Sequence, residues 1–146
     1  MSEETKLKEK YMEFQMLEQS LAHLNQKKAS IENQMNEFVS LQESLDSLKN
    51  SKDNSPMFSP LGSGVFIKSE LKDSKNVLVN IGSNIAIERT VDDSKELVEK
   101  QMTELRGILI KLESEIGKGL EKGNALSAEL AKLSQKDHEH GPDCKH

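Results

Sequence analysis

The fold is decided by residues 63–88, which read SGVFIKSELKDSKNVLVNIGSNIAIE. Val65 and Ile67 alternate with Phe66 and Lys68, and the same alternation returns in VLVNI and IAI further along. A period of two residues is typical of β-strands, because successive side chains point to opposite faces of the strand. The segment therefore predicts short antiparallel strands rather than a helix.

Turn residues divide this β-segment. Polar residues at 72–76 predict a hairpin loop, and GSN at residues 82–84 predicts a second, tighter turn. Residues 57–61 are expected to add another short strand before the glycine-rich turn at residues 62–64, which would give two hairpins.

So few strands leave both edges of the sheet open, and an exposed apolar edge aggregates unless it is paired. We therefore expect strands from several subunits to pair and to close into an oligomeric β-barrel body. The residues expected to carry this assembly are Val65, Phe66, Ile67, Val77, Val79, Ile81, Ile85 and Ile87.

A heptad repeat precedes the strands and predicts a long coiled-coil helix within residues 1–50, followed by a polar linker at 51–56. Nine of its twelve seam positions are apolar, and Lys10, Lys28 and Gln42 are the exceptions, which we interpret as register control or snorkelling. The seam positions are Leu7, Lys10, Phe14, Leu17, Leu21, Leu24, Lys28, Ile31, Met35, Phe38, Gln42 and Leu45.

A second heptad repeat follows the strands, in residues 90–134. Thr90 is in position to cap the helix, with acidic residues in the first turn. Gly119 and Gly123 interrupt the seam, which indicates either a bendable arm or a tolerated local weakness. The other seam positions are Val98, Met102, Leu105, Leu109, Leu112, Ile116, Leu126, Leu130 and Leu133.

The two helices flank a small β-region (residues 57–89), so we expect them to fold back as an antiparallel two-helix coiled coil, an α+β fold. This pairing places Lys28 at about the level of Gly119 and brings both termini to one end. Helix ends fray, so apolar seam residues there become intermittently exposed and are candidates for binding apolar segments of other proteins. The candidate client-binding residues are Leu7, Tyr11, Phe14, Leu126, Leu130 and Leu133.

The composition excludes several classes of function. Aromatic residues make up 3% of the chain and apolar residues 34%, which is enough for a narrow seam but not for a large globular core. The net charge of −5 argues against nucleic acid as a partner. No apolar run is long enough for a membrane span, no secretory signal is visible, and no catalytic constellation is present, so we expect a cytoplasmic protein that is not an enzyme.

The sequence of the predicted strands resembles that of the prefoldin family, also called GimC, and in particular its archaeal alpha-type subunit. The resemblance lies in PLGSGVFIK at residues 60–68, NVLVNIGS at 76–83 and IAIERT at 85–90. It implies a hetero-hexamer of two alpha and four beta subunits, a double β-barrel body, and coiled coils that hold unfolded proteins without ATP. It also implies transfer of those proteins to a group II chaperonin, with the client and assembly surfaces on the residues named above.

The tail at residues 135–146 departs from this family pattern. It contains His138, His140, Cys144 and His146, whose imidazole and thiolate groups are ligands for transition metals. No fold holds them at a recognisable spacing, so a charged solubility tail without metal is the alternative.

Three functions stay open on the sequence alone. A chaperone subunit that holds unfolded proteins is the first, and a structural coiled-coil oligomer without client binding is the second. The third is a metal-binding protein that acts through the tail. Suppression of aggregation separates the first two, and stoichiometric metal binding identifies the third.

Overall fold

The computed structural model of the chain describes residues 2–139, and the surroundings of side chains for residues 2–135. A long helix, α1, runs from Glu3 to Lys49 and is followed by four strands and a second long helix. The remaining elements are β1 (Pro56–Gly62), β2 (Val65–Glu70), β3 (Asn76–Gly82), β4 (Ile85–Thr90) and α2 (Val91–Glu139). Two long helices with two antiparallel hairpins between them confirm the predicted α+β coiled-coil fold.

Residues 2–32 and 107–139 form one compact unit, which is an antiparallel pair of helices. Every predicted seam position in this unit is at least half-buried, and Leu112 and Leu126 are fully buried. The remaining helix surface is exposed and mostly polar, because a two-helix pair covers only one stripe of each helix.

The register within this unit differs from the one expected. Gly119 faces Leu21, and Gly123 faces Leu17, whereas Lys28 forms an ion pair with Glu113. Lys28 therefore does not lie opposite Gly119, and that prediction was wrong by one heptad. A shift by one heptad keeps every apolar position in the seam, so the pattern alone does not distinguish the two registers.

Residues 33–106 form the second unit, which contains both hairpins. β1 pairs with β2 and β3 pairs with β4, each in a separate two-stranded sheet. Each hairpin has a register irregularity just before its turn, at Gly62 and Gly82. Both glycines have positive φ, of 131° and 104°, which a residue with a Cβ rarely adopts.

The polar residues 72–76 do not form the predicted hairpin loop, because β2 and β3 are not paired. This segment instead connects the two hairpins. Asp73 accepts hydrogen bonds from the amide of Lys75 (2.8 Å) and the side-chain amide of Asn76 (2.9 Å). Asp53 accepts one from the amide of Ser74 (2.9 Å). Two aspartates therefore fix the connection, which had been interpreted only as a polar turn.

The core of this second unit lies where the two helices meet the second hairpin. Its buried residues are Leu45, Val91, Val98 and Met102, and Phe38, Leu48 and Val77 pack against them. Thr90 ends β4 and caps α2, since its hydroxyl accepts a hydrogen bond from the amide of Asp93 at 3.1 Å. This confirms the predicted cap.

Neither helix, over residues 2–139, has an apolar stretch of the length that would cross a lipid bilayer.

Candidate assembly and client-binding surfaces

The helix pair of the first unit carries an apolar groove near the chain termini, which we call the terminal groove. Leu7, Tyr11 and Leu130 line it, together with Glu4, Lys8 and Ser134. The groove encloses about 600 Å³ and is open to solvent. Leu7 and Leu130 are half-buried, whereas 55% of the Tyr11 surface is exposed. An open apolar groove of this size accommodates apolar side chains of another polypeptide.

The structure brings only some of the predicted client-binding residues to this groove. Leu7, Tyr11 and Leu130 line it, as described above. Phe14 lines a second, smaller groove of about 240 Å³ beside Gly123, and Leu133 is half-buried in the seam. Leu126 is only 5% exposed, so its role in the folded helix pair is to close the seam.

Three exposed apolar residues near these grooves were not predicted from the sequence, because they lie off the seam. Met12 and Met16 on α1 are 59% and 70% exposed, and Leu120 on α2 is 55% exposed. Methionine is flexible and polarisable, and it is frequent on surfaces that bind many partners. The signal in the sequence was the pair of methionines close to Tyr11, at positions off the seam of a helix that is otherwise charged there.

Ion pairs join the two helices close to the terminal groove. The Lys10 ammonium lies 3.0 Å from Glu129 and 4.0 Å from Glu13, and Lys122 lies 3.8 Å from Glu13. The hydrogen bond and the negative charge of Glu129 raise the pKa of Lys10. Lys10 is therefore a seam residue whose charge is matched across the helix pair, as expected for a residue that controls register.

The β1–β2 hairpin is exposed on both faces. Ser59 and Ser69 share a 2.7 Å hydrogen bond across the strands. The large apolar residues of the hairpin lie between 44% and 66% exposed, namely Met57, Phe58, Leu61, Val65, Phe66 and Ile67. A two-stranded sheet with this much exposed apolar surface is at best marginally stable alone, so it needs a partner.

The predicted assembly residues divide into two groups. Val65, Phe66, Ile67, Ile81 and Ile85 are all about half exposed. Val77, Val79 and Ile87 are less exposed, and Val77 packs against the core. The exposed group remains free to contact another subunit, and Val77 of the second group attaches β3 to the helices.

The predicted metal site falls outside what the structure describes. His140, Cys144 and His146 lie beyond residue 139, and His138 lies within α2 but beyond the last described side chain. Among the described residues, no three His, Cys, Asp or Glu side chains cluster as a metal site would require.

Three comparisons relate this geometry to known proteins. The sequence model of the prefoldin subunit family matches residues 17–136. The chain is 34% identical over 105 residues to prefoldin subunit alpha 1 of Thermococcus kodakarensis, covering 71% of this chain and 72% of that one. It is 30% identical over 130 residues to prefoldin subunit alpha of Pyrococcus horikoshii, covering 84% and 83% respectively.

Solved structures show the same fold. The filamentous PFD of Methanocaldococcus jannaschii superposes with a TM-score of 0.70 at 20% identity, covering 80% of this chain and 96% of that one. The prefoldin beta subunit of Thermococcus strain KS-1 superposes with a TM-score of 0.57 at 16% identity, covering 87% and 90%. The chain therefore belongs to the prefoldin family, and it resembles the archaeal alpha subunits of that family.

Proposed function

We propose that the chain is the alpha-type subunit of an ATP-independent chaperone that holds unfolded proteins and passes them to a group II chaperonin. Membership of the prefoldin family gives it the role of a chaperone subunit. The terminal groove, which the exposed Tyr11 lines, is the observation that carries client binding. Its apolar lining offers an unfolded chain a place to bury side chains, and such burial is non-directional and therefore unselective.

The proposed assembly is a hetero-hexamer of two alpha and four beta subunits joined through the hairpins. The exposed apolar residues of β1 and β2 support it, because assembly would remove them from water. Association would also present several terminal grooves to one client, and several weak contacts acting together bind far more tightly than one.

The first experiment is co-expression with the beta-type subunit from the same source, followed by native mass spectrometry. A complex of two alpha and four beta subunits is expected. A chain that ignores the beta-type subunit would contradict the proposed assembly.

The second experiment tests client binding in that complex by light scattering of a chemically denatured test protein. The triple variant Tyr11→Ser, Met12→Ser and Met16→Ser removes exposed apolar surface without touching the seam, and we expect it to lose most of the suppression of aggregation. Ile110→Ser is the matched control, because Ile110 is 66% exposed and does not line the terminal groove. If the triple variant protects the test protein as well as the control does, the structural coiled-coil alternative gains support.

A further inference from the structure

Two exposed methionines lie side by side on α1 and extend the apolar surface of the terminal groove. Met12 and Met16 are 59% and 70% exposed. Because they are four residues apart, their side chains are neighbours on one face of the helix. Met12 also lies one turn after Lys8 and next to Tyr11 in the sequence, and both of those residues line the terminal groove. The two thioethers therefore continue the groove along the helix, away from the seam.

The apolar character of this helix face depends on the two methionines. Gln15 and Gln19 are exposed and lie within one turn of them. Glu18 is the one Asp, Glu, Lys or Arg in residues 14–26, so the face carries little charge. A chemical change that makes both methionines polar therefore changes the whole face from apolar to polar.

Peroxides make exactly this change to an exposed thioether. The sulfur lone pair attacks one oxygen of hydrogen peroxide, an S–O bond forms as the O–O bond breaks, and the other oxygen leaves as water after proton transfer. The sulfur is oxidised by two electrons and the peroxide is reduced by two. The sulfoxide is polar, and methionine sulfoxide reductases reverse the reaction, one enzyme for each sulfoxide epimer. In that reversal a dithiol is oxidised to a disulfide, and the sulfoxide oxygen leaves as water.

The other methionines that the structure describes are less accessible. Met102 is 4% exposed, Met35 is half-buried in the seam, and Met57 is 44% exposed on β1. Susceptibility to oxidation follows solvent access to the sulfur. Met12 and Met16 are therefore expected to react first, and Met102 last.

We propose that Met12 and Met16 form a reversible oxidation site through which peroxide weakens client binding at the terminal groove. With both sulfurs reduced, the face adds apolar surface to the groove. With both oxidised, it presents two sulfoxide oxygens, which must lose bound water before an apolar segment can bind there. Neither residue lies in the seam, so the helix pair stays folded in both states. The switch rests on the proposed function as a client-holding subunit and adds its regulation.

Peptide mass spectrometry tests the site in the complex with the beta-type subunit. The complex is treated with hydrogen peroxide, the reaction is stopped with catalase at intervals, and the digested peptides are examined for added oxygen. Met12 and Met16 are expected to be oxidised at least about tenfold faster than Met102. Equal rates at the three residues would overturn the site.

Light scattering of a chemically denatured test protein then measures the effect on client binding. Half-maximal suppression of aggregation is expected to need about fivefold more of the oxidised complex, once peroxide is removed. Both methionine sulfoxide reductases with a dithiol are expected to restore most of the suppression, and circular dichroism to show the same helix content throughout. A complex that is oxidised at both sulfurs and protects as well as before overturns the switch. A loss that reduction does not repair overturns its reversibility.

The double variant Met12→Leu and Met16→Leu separates these two residues from every other methionine of the complex, because leucine is apolar and does not react with peroxide. The measured quantity is the ratio of protection after and before peroxide, taken within each variant. This ratio is expected to be close to one for the double variant. For the control Met57→Leu it is expected to fall as far as in the unchanged chain. If the double variant loses as much protection as the control, another methionine carries the sensitivity, and the assignment is overturned.

The outcomes separate the switch from the proposed function. An untreated complex that fails to protect a denatured protein contradicts the proposed function, whatever the oxidation rates. An untreated complex that protects, and that protects equally after both sulfurs are oxidised, overturns the switch alone.

Discussion

At the scale of single residues, the glycines of α2 allow a direct comparison of helix propensity with packing. A Cβ added at Gly117 would meet no atom within 4 Å, whereas one added at Gly119 would lie 2.6 Å from Leu21 Cδ2. Gly117→Ala is therefore expected to stabilise the helix pair by about 1 kcal/mol, because alanine loses less backbone entropy than glycine. Urea unfolding followed by circular dichroism measures this change.

Gly119→Ala is the matched comparison and is expected to stabilise less, or to destabilise. Leu21 would have to leave its present rotamer, at a cost of order 1 kcal/mol that offsets the gain in propensity. Gly107→Ala is a second control, since that position is also open. Equal effects at Gly117 and Gly119 would contradict the close approach to Leu21.

At the scale of secondary-structure elements, the start of α2 depends on its cap. The Thr90 hydroxyl accepts a hydrogen bond from the amide of Asp93, which would otherwise lack a partner in the helix. Thr90→Ala is expected to lower the free energy of unfolding by about 1 kcal/mol.

Thr103→Ala is the control for the cap, because the Thr103 hydroxyl only donates back to the carbonyl of Glu99 in the helix interior. Threonine there is a weaker helix former than alanine, so this variant is expected to be neutral or slightly stabilising. Thermal unfolding of the two variants side by side distinguishes a cap from a general effect of removing threonine. A similar loss in both would argue against the cap.

The connection between the hairpins gives a pH dependence with a defined sign. Hydrogen bonds from Asn76 and the Lys75 amide lower the pKa of Asp73. A carboxylate with a lowered pKa in the folded state stabilises the fold above its unfolded pKa, near 3.9, and this stabilisation is lost as the pH falls through the folded value. Stability is therefore expected to decline below about pH 4.

Asp73→Asn isolates this titration, since the amide keeps an acceptor oxygen but does not ionise in this range. The variant is expected to show a flatter fall in the free energy of unfolding between pH 7 and pH 3 than the unchanged chain. Glu43→Gln is the control, because Glu43 is exposed and forms no ion pair within residues 33–106. An unchanged pH profile in Asp73→Asn would show that another group carries the acid sensitivity.

At the scale of the whole molecule, the sequence predicted the elements better than their pairing. The heptad positions became the buried seam because the period of 3.5 residues fixes which side of each helix is apolar. The register was predicted wrongly because two registers that differ by one heptad fit the pattern equally well. One places Lys28 opposite Gly119, and the other, which the structure adopts, places Leu21 there. The connection at residues 72–76 was mistaken for a hairpin loop because polar turn residues do not specify which strands pair.

The residues of the candidate binding surfaces were also predictable only where the heptad pattern or their place in the helix indicated them. Leu7 and Leu130 were predicted because periodicity places them in the seam. Tyr11 lies off the seam and was predicted from its place near the end of the helix pair. Met12 and Met16 were missed because they lie off the seam, and the heptad pattern does not show whether an apolar side chain off the seam is exposed. The sequence does not show that Ser94 is buried or that its hydroxyl makes no hydrogen bond to any described residue, because both features depend on packing.

The burial pattern of the chain predicts that its stability depends on concentration. Among the described residues only six apolar side chains are buried, and none is more than 98% buried. Much of the apolar surface of the hairpins lies in water, so assembly is expected to stabilise the folded state by mass action. The melting temperature measured by circular dichroism should therefore rise by several degrees between about 1 μM and about 100 μM chain.

Ile67→Thr tests whether the hairpins cause this rise. Threonine retains the branched Cβ that favours a strand but removes apolar surface from a residue that is 47% exposed. The variant is expected to melt near the unchanged chain at low concentration and to gain less at high concentration. Ile110→Thr, on the exposed face of α2, is the control and should retain the full dependence apart from a small loss of helix propensity. A melting temperature that is independent of concentration in the unchanged chain would mean that the hairpins are stable without a partner subunit.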